Sequence, residues 1–188
     1  MLTFAAMREP ALSFVGNVPV RIYAPEGGAA RAAVLFFHGL RSSGKVLEVE
    51  ARAIAAAGVT AIVPDAPHHG ARRDAILDAM PDTATREGYA TLLRILREAR
   101  DEVPALVDHA LELGHEEVAI GGVSMGGYIA LAAGTIEPRL VAVVSLLGSP
   151  DWSRTRGRPR RPPASSPRRS PSRRTSARRR LLRGRCSS

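Results

Sequence analysis

The sequence is short of the residues that would cross-link the chain or carry it into a membrane. It has one cysteine, Cys186, so no intrachain disulfide can form and a reducing compartment fits. No apolar run approaches the roughly 20 residues that a membrane-spanning helix needs, so a helical membrane protein is excluded. Met1 to Pro10 lacks a basic stretch followed by an apolar core, so no secretion signal is expected. Together these absences predict a soluble cytoplasmic protein. One further absence bears on chemistry. All five histidines (His38, His68, His69, His109 and His115) precede residue 124, and none follows it.

What is present is unevenly spread. The 188 residues carry a formal net charge of +9, but residues 1–150 hold 13 basic and 17 acidic side chains. Residues 151–188 hold 14 arginines against Asp151 alone, with no valine, isoleucine, phenylalanine, methionine or tyrosine. A segment of that composition cannot bury a core, and it is expected to be a disordered tail rich in Arg, Pro and Ser. The basic charge therefore says nothing about the folded part.

Residues 1–150 alternate in pattern. Ala11 to Ala24 reads as a hairpin around Gly16-Asn17. Ala32 to Phe37 is a short, wholly apolar strand, as in a sheet covered on both faces. Val46 to Ala57 reads as a helix stopped by Gly58, and Val59 to Val63 as the next strand, closed by Pro64-Asp65. Asp74 to Met80 reads as a short helical turn. Thr85 to Leu113 is helical, with Pro104 predicting two helices or a kink. Val118 to Ile120 and Leu140 to Leu147 are further strands. The order predicts an α/β protein, a mostly parallel sheet with helices on both faces.

The strongest signal is Gly122-Val123-Ser124-Met125-Gly126, set between a strand and a small-residue helical run. A G-x-S-x-G in that context is a nucleophile elbow, a turn so tight that the serine is strained and exposed while flanking glycines avoid collisions. The chemistry also needs two backbone amides aimed at a developing oxyanion. Met125, after the serine, supplies one. The loop Phe36-Phe37-His38-Gly39-Leu40 supplies the other, at Leu40 or alternatively at Gly39, with His38 bonding loop backbone rather than acting as a base.

On His38-Gly39, Pro64 to Gly70 and Gly122 to Gly127, the chain resembles the N-terminal part of an α/β-hydrolase of the dienelactone-hydrolase and prolyl-oligopeptidase-like esterase group, over roughly residues 11–150. The resemblance implies an α/β-hydrolase fold that is C-terminally incomplete, hydrolysis of small-molecule carboxylic esters through an acyl-enzyme on Ser124, and no cofactor. It makes His38, His69 and Arg72 possible pocket residues. Adjacent His68 and His69 are not read as a metal site.

In such enzymes the acid and the histidine follow the serine along the chain. Here the arginine-rich segment stands in their place, and after Ser124 the only acids are Glu137 and Asp151. A serine without its base is expected to be crippled or inactive.

Two other functions are compatible with parts of the sequence. Gly39 to Lys45 nearly matches a phosphate-binding G-x-x-x-x-G-K-[ST] loop, but Val46 replaces the hydroxyl that holds Mg²⁺. The arginine tail is suited at most to sequence-independent nucleic-acid binding.

The abrupt junction near Pro150, with 26 arginines to one lysine in the whole chain, is what GC-rich coding DNA read out of frame would give. Resequencing the gene past codon 150 is expected to reveal an alternative downstream frame that encodes an aspartate and a histidine. Its absence would dismiss the shifted frame.

Overall fold

The protein is described by a computed structural model over residues 9–28 and 30–151. The arginine-rich segment, except Asp151, lies outside these residues, and with it the expectation of a disordered, frame-shifted tail. No helix among the described residues is long and apolar enough to cross a membrane.

Six strands form one mixed sheet: β1 (Ala11–Val15), β2 (Val18–Tyr23), β3 (Ala32–Phe37), β4 (Thr60–Pro64), β5 (Glu117–Val123) and β6 (Leu140–Leu146). Their order across the sheet is β1-β2-β4-β3-β5-β6. The hairpin β1–β2 is antiparallel and joins β4 antiparallel, whereas β4, β3, β5 and β6 are parallel. Gly16 opens the hairpin turn with φ 59, the left-handed backbone that a two-residue loop of this kind needs at its first position.

Helices cover both faces because side chains alternate along the strands. Ala33, Leu35 and Phe37 of β3 join Val118 and Ile120 of β5 in a core shared with α3 (Arg86–Glu112) and α4 (Met125–Ala133). Phe36, Ala61 and Val63 face the other way and pack with Tyr23 against Leu47, Ala51 and Ala55, the last two from α1 (Glu48–Ala56).

Two expectations are corrected. The helix after β3 does not begin at Val46. Residues Gly44–Leu47 form a tighter 3₁₀ turn and α1 starts at Glu48, which leaves Val46 exposed rather than in the core. Of the two outcomes expected at Pro104, a division into separate helices does not occur, since α3 is a single helix of 27 residues. Proline costs a helix interior about 3 kcal/mol. Val103, Leu106, Val107 and Ala110 continue the buried face past it, and each large apolar side chain buried there contributes about 1.5–3 kcal/mol. Packing outweighs the lost hydrogen bond.

Among the described residues the sheet ends at β6, which has little cover. Val141, Val143, Val144 and Leu146 are 63, 40, 49 and 46 % exposed, and the strand pairs only with β5 among the described residues. A long apolar edge of this kind is a template for pairing with other chains. Substituting Val141→Lys and Val144→Lys together is expected to lower light scattering at a given protein concentration. Because both sites are exposed, folding free energy should move by only about 0.5 kcal/mol per site.

Candidate active site

Ser124 is the single residue between the last residue of β5 and the first of α4, and it is exposed. Its backbone, φ 53 and ψ −112, belongs to neither element. Such a conformation costs about 1–3 kcal/mol and persists only where the surroundings enforce it. They do so here. The Ser124 N–H donates to the Leu146 carbonyl at 2.7 Å, and the Ser124 carbonyl accepts the Tyr128 N–H at 3.1 Å, the first hydrogen bond of α4.

The flanking glycines are required by contact. A Cβ on Gly122 would lie 2.5 Å from the Gly126 carbonyl carbon, and one on Gly126 would lie 2.1 Å from the Phe37 carbonyl oxygen. Both obstacles are backbone, which cannot rotate away. Gly127 is equally confined, with Ser145 Oγ at 2.6 Å from a Cβ placed there. The helix thus starts hard against the ends of β3 and β6.

The loop after β3 borders the serine. A Cβ on Gly39 would sit 3.8 Å from Ser124 Cβ. The Leu40 N–H next along donates to no backbone carbonyl among the described residues. Met125 buries its side chain in the core, and as the first residue of α4 its N–H has no carbonyl one turn back within the helix.

His38 is fully buried. Its Nδ1–H donates to the Gly39 carbonyl at 2.8 Å, and its Nε2 accepts the Ala66 N–H at 3.1 Å. Accepting at Nε2 requires the neutral ring, and burial accordingly holds its pKa below the usual histidine value. His69, also fully buried, packs its ring 5.2 Å from that of His38 and donates from Nδ1 to the Pro67 carbonyl at 2.7 Å. Its Nε2 is buried without a partner. Arg72 forks onto Glu102 at 2.8 and 2.6 Å and reaches the Asp65 carbonyl at 3.2 Å. It lines a cleft of about 300 Å³ with Pro67, His68, Asp74, Glu98 and Glu102, which contains neither Ser124 nor Leu40. Of the three expected pocket residues, Arg72 lines this cleft, while the rings of His38 and His69 pack on each other.

His68 has φ 64 and spans two carboxylates, Asp74 Oδ2 and Glu98 Oε2, each at 2.7 Å. This pins the loop after β4 to α3. The His68 contact is also the main reason that the Asp74 carboxyl titrates below its ordinary value. No cluster of three or more His, Cys, Asp or Glu able to hold a metal occurs among the described residues. Among the described residues no imidazole hydrogen-bonds to Ser124, and Glu137 is spent on Arg139 at 2.8 and 2.7 Å.

Sequence reasoning overlooked the part played by Asp65. Fully buried, it accepts the Gly44 N–H at 2.7 Å and the Ala71 N–H at 2.9 Å and faces Arg21 at 3.4 Å. It ties the loop after β3 to the loop after β4. Gly70, with φ 56, passes so close that a Cβ there would fall 2.2 Å from Asp65 Cγ. An acid at the end of a strand with a glycine five residues on was the available signal.

Burial, the largest cause, pushes the His69 pKa from 6.5 down to about 4. The unfolded chain therefore takes up this proton first. The stability gained by keeping the ring neutral is complete above pH 6.5 and is lost as pH falls toward 4. His38 adds to the same slope. Urea midpoints measured between pH 7 and 4 should decline, and less steeply in His69→Asn, which keeps a donor for the Pro67 carbonyl but does not titrate there.

The family model described as the alpha/beta hydrolase family matches residues 34–186 of this chain. Esterase YjfP of Escherichia coli K12 is 34 % identical over 118 residues, covering 62 % of this chain and 45 % of its own length. YitV of Bacillus subtilis 168 is 29 % identical over 143 residues, covering 73 % of this chain and 53 % of its own length. The chain thus spans about half the length of these relatives. The crystal structure of TT1662 from Thermus thermophilus superposes with a TM-score of 0.67 at 23 % identity, over 79 % of this chain and 60 % of that one. That likeness concerns the fold. With a strained serine between β5 and α4, a His-Gly loop at its side and a family match over most of its length, the chain belongs to the alpha/beta hydrolase family.

Proposed function

We propose that the fold presents Ser124 as the nucleophile of a carboxylic-ester hydrolase. The observation that carries this reading is the exposed Ser124 at φ 53 and ψ −112, with Gly39 of the His-Gly loop beside it. Ser124 Oγ would attack the ester carbonyl carbon, forming a C–O bond and an oxyanion. The Leu40 and Met125 amides would stabilise that charge, helped by the N-terminal end of α4. Collapse breaks the bond to the alkoxide, which leaves as the alcohol by taking a proton from solvent water, to which the serine proton has gone. The acyl-serine that remains is cleaved by water to the free acid. YjfP is named an esterase, which supports esters as the substrate class.

Among the described residues no side chain accepts the Ser124 proton, which leaves solvent water to carry it. Both nitrogens of His38 and of His68 are engaged elsewhere, and His69 is sealed in the core. Turnover by the chain as written is therefore about a thousand-fold or more below that of a complete triad, with the oxyanion amides and binding contacts as its residual source. Nucleotide binding at Gly39 to Lys45 is disfavoured, because the Gly44 amide that a phosphate would need already donates to Asp65. Nucleic-acid binding by the arginine tail lies outside the described residues.

The test is covalent labelling with a fluorophosphonate, read by intact mass and peptide mapping. Slow, single-site labelling at Ser124 is expected, and none in Ser124→Ala. Equal labelling of the two proteins would overturn the assignment.

A further inference from the structure

The loop that carries Leu40 is a four-residue turn, Gly39 to Ser42, closed by the Ser42 N–H donating to the Gly39 carbonyl at 3.2 Å. Its third residue is Arg41, with φ 60. Turns with a left-handed third position ordinarily place glycine or asparagine there, because a larger side chain is strained. The Arg41 side chain is anchored elsewhere. Its guanidinium donates to the Leu77 carbonyl at 3.3 Å and to the Met80 carbonyl at 2.6 Å. These acceptors lie at the end of the short helix α2 (Ala75–Asp78), and both Leu77 and Met80 are buried in the main core. Among the described residues no carboxylate pairs with Arg41. Its charge is spent on neutral carbonyls at a helix C-terminus, where a cation is favoured.

The direction of the Leu40 amide follows from this turn. The Gly39 carbonyl and the Leu40 N–H belong to one peptide unit, and no peptide bond among the described residues is cis. In a trans unit the two groups point in opposite directions. The carbonyl is held inward by the Ser42 N–H and the His38 Nδ1–H. The N–H is therefore turned outward, from a loop whose Gly39 adjoins Ser124.

We propose that Arg41 is a positioning residue for the acyl-transfer site: anchored on the Leu77 and Met80 carbonyls, it holds the Gly39–Ser42 turn in its left-handed form and so keeps the Leu40 N–H aimed at the oxyanion. This rests on the reading of Ser124 as nucleophile. Arg41 touches no reacting atom and acts only through the closure of the Gly39–Ser42 turn, which fixes the Gly39–Leu40 peptide unit.

The experiment is saturation kinetics of fluorophosphonate labelling on the full chain, resolving the maximal rate kinact from the half-saturating concentration KI. Arg41→Ala should lower kinact by about 10-fold or more, since a misaimed oxyanion donor resembles a missing one, while KI changes little. Arg41→Gly relieves the strained φ but lacks the anchor, so it should be as slow as Arg41→Ala. Arg41→Lys, able to reach one carbonyl, should recover part of the rate. All are compared in samples with native circular dichroism. A residue that merely capped α2 would change thermal stability and leave kinact of the folded protein alone. An unchanged kinact in folded Arg41→Ala, or in folded Arg41→Lys and Arg41→Gly should Arg41→Ala not fold, overturns the proposal. Equal labelling of the unaltered protein and Ser124→Ala instead overturns the nucleophile assignment on which it rests.

Discussion

The structure around the serine depends on one close approach, that of the α4 backbone to the end of β3. The Phe37 carbonyl oxygen stands where a Cβ of residue 126 would be. Only glycine lets the helix start there, and only a helix starting there bends the chain enough to put Ser124 outside both elements. The energy that keeps the serine strained comes from ordinary sources nearby. Ile129, Ala130 and Ala133 of α4 are buried against the sheet, and the Ser124 N–H is fixed to Leu146. Local strain of about 1–3 kcal/mol is small beside the burial of several apolar side chains.

A second constraint joins the two loops at the C-terminal ends of β3 and β4. A buried carboxylate is costly unless its oxygens are hydrogen-bonded. Asp65 meets that cost with the amides of Gly44 and Ala71 and the guanidinium of Arg21. One buried charge thereby organises two loops that are separate in sequence. The neutral rings of His38 and His69 lie against the same junction. They fill space and bond backbone there, and neither ring hydrogen-bonds to Ser124.

Much of this was legible from residue order. The apolar run Ala32 to Phe37 and the alternation of strands and helices sufficed for a mostly parallel sheet, because burial on both faces leaves a strand no polar side. Gly122 to Gly127 announced the turn at Ser124, because few backbone geometries need so many glycines in one place. Other features were hidden, for reasons that are tertiary. Pro104 is a local helix breaker, and only the buried face running through Val103, Leu106 and Val107 explains its tolerance. Val46 falls in the 3₁₀ turn Gly44–Leu47, where the Gly44 N–H is tied to Asp65, and is exposed; that long-range bond has no local sequence signal. Arg41 carries no sequence signal of its left-handed backbone, since its anchors, the Leu77 and Met80 carbonyls, lie in and just after α2, far along the chain.

The glycine contacts at the elbow also bear on how the chain folds. Gly122 meets Gly126 within one turn, but Gly126 meets Phe37, and Gly127 meets Ser145, across long stretches of intervening chain. Closing such loops costs entropy before any contact rewards it. The kinked serine is thus held only by contacts that exist once β3, β5 and β6 lie side by side. Cut out as a peptide, the same residues would relax into an unremarkable bend.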